Sequence, residues 1–225
     1  MRDKLIYKIC GGLYILVMVT FLLPEMLGGG LVDSDSISNT FRLVADSGFQ
    51  YRLAVSIEFI GVVAIMALII TLFYILKPFN LYLALLALGL RMGEVMLLAV
   101  SRIDDFTLLN LSQQAASASS SGAAELNYLG QMIISSAAQG TALAFVFFAI
   151  GSLFNNFLFH KSKVIPTWLA ILGLIGAALV TMQTVLSLVT DLPSIINDAS
   201  WYPIMLFEFI LGFYLIFHGK RKETL

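Results

Sequence analysis

LAVSIEFIGVVAIMALIITLFYIL (residues 53–76), KPFN (77–80) and LYLALLALGLRMGEVMLLAV (81–100) decide the fold. Two apolar runs of 24 and 20 residues flank a turn of four. A hydrocarbon core about 30 Å thick takes roughly 20 residues of α-helix, so each run is long enough to cross it once. Pro78 marks a helix boundary, because the residue before a proline avoids helical backbone. A four-residue connection then leaves only an antiparallel helical hairpin.

The same pattern recurs on both sides. Further spans are expected at about 9–27, 129–157, 165–189 and 201–217, which makes an all-α, polytopic membrane helix bundle of six transmembrane helices in one domain over 1–225. The first span stops near Pro24, Glu25 and the Gly28-Gly29-Gly30 run. The fourth is too long for one perpendicular crossing and should tilt or project into water, with Asn155, Asn156 and His160 at its wet end. Trp168, Trp201 and Tyr202 fall at span ends, where aromatic belts form. Composition agrees: 59% of the 225 residues are hydrophobic, 12% are charged and the mean hydropathy is +0.92. A soluble domain carries about 25% charged residues, so that class is excluded. With a net charge of -1 and no basic cluster before the last few residues, a nucleic-acid partner is excluded as well. Cys10 is alone, so it can form no intrachain disulfide and is expected to be free and buried.

Lysine and arginine set the orientation. Arg2, Lys4, Lys8, Lys77, Lys161, Lys163, Lys220, Arg221 and Lys222 fall on one side of the spans, and only Arg42, Arg52 and Arg102 on the other. Nine against three places both termini in the cytoplasm of a multi-pass cell-membrane protein. The acidic loop residues Asp33, Asp35, Asp46, Asp104, Asp105, Glu125, Asp191 and Asp198 then fall outside. A signal peptide is the competing reading of the first span, but the run lacks a small-residue cleavage site. Outer loops are expected at 28–52 and 101–128. The first contains a capped short helix over Ser38–Asp46, closed by Gly48 and lying on the outer face, with a plain linker as the alternative. The second contains a low-complexity mobile stretch, 112–124.

Four ionisable residues fall inside spans: Glu58, Arg91, Glu94 and Glu208. Each costs about 2.5–3.5 kcal/mol near the bilayer centre on insertion scales, so each needs a partner or a purpose. At about 1.5 Å per residue, Glu58, Glu208, Glu94 and Arg91 lie about 9, 10, 12 and 16 Å below the outer surface. The amides Gln183 and Gln139 come to about 12 and 16 Å. These six residues are the candidate ligand-binding set, and the inner half of the bundle holds nothing ionisable. Arg91 and Glu94, three apart, share a helix stripe, while Gly89 and Gly93 point the other way and admit a close helix approach. Gln131, Ser135 and Gln139 form a polar stripe on the fourth span.

Fully ionised, three glutamates against one arginine leave two uncompensated negative charges in a low-dielectric layer. The expectation is an outward-facing acidic pocket that binds a small polar or cationic molecule or a proton, as a binding or transport protein. Two alternatives stand beside it: an accessory or scaffold subunit in which Arg91 is a structural ion-pair staple, and an integral membrane enzyme acting on lipid. Partners are then the lipid bilayer and that ligand or proton, with a second copy of the chain or a partner membrane subunit left open. No cofactor and no metal is expected, because no span holds a histidine or lysine: His160 and His218 are both at span ends. Without a histidine at serine depth, Ser/His catalysis is set aside and no catalytic residue is assigned.

Gly11-Gly12-Leu13-Tyr14-Ile15-Leu16, Leu90-Arg91 followed by Glu94, Glu208, and the stretch from Phe145-Val146-Phe147-Phe148-Ala149-Ile150-Gly151 through Lys163-Val164-Ile165-Pro166 to Leu172-Gly173 carry a resemblance. In these the chain resembles a family of prokaryotic membrane proteins called domain of unknown function 4386. The resemblance implies six helices and a bacterial or archaeal plasma membrane, and it supplies no activity. Members often carry a histidine early in the fourth span. Here Gln139 is the nearest polar residue, so no histidine-based role is carried over.

Overall fold

The computed structural model describes residues 2–28, 30–33, 36–115, 120–190 and 192–218. Gly29, Asp35, Asp191, Lys220, Arg221 and Lys222, together with 116–119 of the serine- and alanine-rich stretch, lie outside the described residues. The elements are α1 (Arg2–Gly28), α2 (Ile37–Asp46), α3 (Gly48–Leu76), α4 (Leu81–Ala115), α5 (Ser120–Ser162), α6 (Thr167–Leu186) and α7 (Ser194–His218). All are helical. Six of them, all but α2, are long and apolar enough to cross a membrane. The α3–α4 turn falls at Lys77–Asn80, where Asn80 Oδ1 accepts from Leu83 N at 3.0 Å and caps the start of α4.

The described chain divides into two compact units. The first takes Met1–Met18, Ala64–Val95 and Leu143–Leu225, and the second Val19–Val63 and Met96–Ala142. The first has a core of Cys10, Tyr14, Leu68, Leu72, Ala149, Phe159, Leu169, Ala177, Ile204, Phe207 and Leu211. Cys10 is free and fully buried there. Helices come close where glycine removes a side chain. A Cβ on Gly176 of α6 would lie 2.7 Å from Ile204 N and 2.9 Å from Ile204 Cα on α7. Asn156 joins α5 to α6 by donating to Gly173 O at 3.1 Å. It is 2% exposed and Asn155 8%, so the pair is buried rather than at a wet helix end. Past them α5 stops at Ser162, and the next residue, Lys163, takes left-handed backbone (φ 53°).

The second unit corrects the expected loops. The α4 helix runs on past Val100 to Ala115, and the described part of 112–124 is helical. The reason is a second apolar core: Leu108 and Leu109 of α4 pack with Phe41 and Val44 of α2 and with Tyr51 and Val55 of α3. A Cβ on Gly130 of α5 would collide with the Phe41 ring, so that glycine seats α2. The cap is Ser36, whose Oγ accepts from Asn39 N at 3.3 Å. Gly48 does not close α2. Ser47 does, and Gly48 begins α3. The preceding loop is tied down by Thr40, which accepts from Asp33 N at 2.8 Å and donates to Asp33 O at 3.0 Å. Ser36→Ala is expected to cost about 1 kcal/mol of α2 stability and to speed limited proteolysis within 28–52, a rate read directly on gels.

Candidate functional site

In the first unit, α4 carries Arg91 and Glu94 on one face, each 3% exposed, with Arg91 Nε 3.1 Å from Glu94 Oε2. Neither of those two atoms has a hydrogen-bond partner among the described residues, so the contact is Coulombic and off the hydrogen-bonding line. On the other side, Arg91 Nη1 reaches Ser152 Oγ of α5 at 3.5 Å, the long limit of a hydrogen bond. The Phe148 ring covers the guanidinium at 4.6 Å, a cation–π arrangement strengthened by desolvation. Gly151 makes room for this: a Cβ there would lie 2.8 Å from Arg91 Cγ. Glu208 of α7 is within electrostatic reach of both Arg91 and Glu94, and Tyr14 of α1 within reach of Arg91 and Glu208.

Aromatic packing sets α7 beside α5. Trp201 sits edge-on to Phe145 at 4.7 Å between ring centroids and stacks on Phe148 at 5.7 Å. Glu208, two helical turns on, occupies the same side of α7. Trp201 is thus a packing residue and not part of an aromatic belt, because α7 begins at Ser194, two turns before it. Trp168 and Tyr202 are exposed.

The other candidates separate. In the second unit Glu58 of α3 pairs with Arg102 of α4, whose Nε also lies 3.3 Å from Asp105 Oδ2. This triad borders a cavity of about 200 Å³ whose wall also includes Glu25 of α1 and Tyr51. Gln139 bonds Ser135 within its own helix (2.9 Å) and, with Gln131, lines a groove of about 850 Å³ on α5. Gln183, in the first unit, donates to Ser187 Oγ and to Asn197 Oδ1 of α7, both at 3.0 Å. The structure therefore pairs Arg91 with Glu94 and leaves Glu208 within electrostatic influence of them but in no ion pair, places Glu58 with Arg102 and Asp105, and gives each glutamine a partner of its own. Gly93 meets the Phe147 ring rather than another backbone, and nothing lies within 4 Å of a Cβ on Gly89.

Counting depth down each span separately missed Arg102 and Asp105. Counting from the shared turn finds Arg102: Glu58 is 19 residues before Lys77 and Arg102 is 22 after Asn80, nearly level across an antiparallel pair, whereas Glu94 is only 14 after. Glu25 and Asp105 carried no such signal, since each was read as the end of a span or as loop. Among the described residues, no group of three or more His, Cys, Asp or Glu side chains is arranged to hold a metal ion.

No curated protein and no solved structure matches the chain. The family model described as "Domain of unknown function (DUF4386)" matches residues 9–219. The Arg91–Glu94 pair, the Glu58–Arg102–Asp105 triad and all but the first turns of α1 among the six apolar helices fall within that match, and the chain belongs to that family of unknown function.

Proposed function

We propose that this membrane-spanning protein binds a small organic cation in the cavity bordered by Glu25, Glu58, Arg102 and Asp105. The observation that carries the reading is the charge count of that wall: three carboxylates surround one guanidinium. Arg102 is already engaged by Glu58 and Asp105, which fixes both carboxylates without matching the total. The Asp105 Oδ2 atom is buried in ionic contact with Arg102 but makes no hydrogen bond, so its acceptor capacity is not used up by that pairing. An ammonium group meets that need. Tyr51, Pro24, Val32 and Ala54 supply apolar and aromatic wall for the rest of such a molecule. A bare metal ion fits less well, given that these carboxylates do not form a metal-holding group.

By the nine-to-three bias of lysine and arginine, the reading puts both termini on the cytoplasmic side of the cell membrane and this cavity on the outer side. Choline is a suitable probe. It should raise the thermal midpoint of the purified protein in a concentration-dependent way, and Glu58→Gln with Asp105→Asn should remove at least nine-tenths of that response. An equal response to uncharged glycerol or to sodium chloride, or an unaltered response in the double variant, overturns the reading. Uptake of labelled choline into proteoliposomes separates transport from binding alone.

A further inference from the structure

We propose that Arg91, Glu94 and Glu208 form a binding site for one exchangeable proton, carried by whichever glutamate is not paired with Arg91. This site plays no part in the cation reading above and stands independently of it.

The argument is one of charge balance around a buried pair: Arg91 and Glu94 are buried, Glu208 is half-buried, and the side of α7 that carries Glu208 is held against Arg91's neighbour Phe148 by Trp201. A guanidinium stays charged at any accessible pH. Glu94 neutralises it, which leaves Glu208 with no charge to oppose its own. Among the described residues, the remaining titratable groups of the unit do not supply one, and Lys77 and Lys163, in the turns, are exposed. On α1, Cys10 and Tyr14 are buried and neutral when protonated, while Lys4 and Lys8 are exposed. The parts of α3 and α6 in this unit hold no charged side chain. On α5, Ser152, Asn155 and Asn156 are uncharged, and His160 and Lys161 are exposed at the helix end. On α7, Asp198 and His218 are exposed. A second anion within reach of this 3%-exposed pair, between helices that cross a membrane, is not left bare.

Geometry adds a second reason. Arg91 is held loosely for a buried guanidinium: its contact to Glu94 is off line, Ser152 is at the long limit, and Glu94 Oε2 lacks a hydrogen bond. The guanidinium therefore has unspent donors for a second carboxylate; in the proposed exchange the Glu208 side chain swings toward Arg91, and the carboxylate that Arg91 leaves takes the proton. Phe148 stays over the guanidinium in either pairing, because it contacts the planar face and not the donors.

Infrared spectroscopy of the protein in nanodiscs tests this. The wild type should show the carbonyl stretch of about one protonated carboxylic acid per chain, moved by exchange into heavy water and by 13C labelling of glutamate. Glu94→Gln and Glu208→Gln should each abolish that band, since either leaves one carboxylate balanced by Arg91. If the wild type lacks the band, or if 13C-glutamate does not move it, the proposal fails without recourse to any variant. It fails equally if either single variant keeps the band at full amplitude. The cation reading rests on Glu58 and Asp105, so the two can fail separately.

Discussion

Arg91→Met is expected to lower the stability of the purified protein by about 3–5 kcal/mol, the usual loss when one partner of a buried ion pair is removed and the other is left uncompensated. For a chain of this size that is a fall of roughly 6–20 °C in thermal midpoint, read by any optical melt. The side chain that suffers is Glu94, 3% exposed, whose polar neighbour disappears while its surroundings stay apolar. Phe148 also loses the cation beneath its ring. The triple change Arg91→Met, Glu94→Gln, Glu208→Gln should recover most of the loss, since uncharged groups of matched shape often replace a buried pair at little cost. A triple variant as unstable as the single one would show that Arg91 acts through its volume against Gly151 and not through its charge.

The second large effect is expected at Gly176. Leucine there meets backbone atoms of Ile204, which cannot rotate away as a side chain can, so α6 and α7 must separate. A loss of about 3 kcal/mol, the upper end of the overpacking range, is the expected minimum. Gly89→Leu is the matched control: its Cβ meets open space, and the thermal midpoint should stay within error of the wild type. A comparable loss at Gly89 would mean that something outside the chain fills that notch.

These two positions show how unevenly the structure could be read from residue order. The spans were legible because bilayer thickness imposes one length on every crossing, and the Lys77–Asn80 turn announced itself through Pro78. The pairing of Arg91 with Glu94 was equally plain, because positions three apart adjoin on a helix whatever the tertiary fold. Partnerships between helices were not. The hydropathy that ends at Val100 says nothing of Leu108 and Leu109 packing under α2, so a helix continuing to Ala115 was read as a loop. Gly93 and Gly89 have the spacing of a helix-contact motif, yet Phe147 occupies one and nothing the other. Gly176, with no motif around it, makes the close crossing. Which glycine faces a neighbour depends on the rotation of each helix about its axis, and that is settled by the whole of the packing.

The bond from Gln183 to Asn197 has a bearing on biogenesis. An amide carried alone into hydrocarbon resists insertion, whereas one that already donates to a second amide enters with less of its polarity exposed. Since only a short connection separates α6 from α7, the last two rods are suited to leave the translocation machinery together as a clasped pair, docking onto helices already in place rather than arriving one by one.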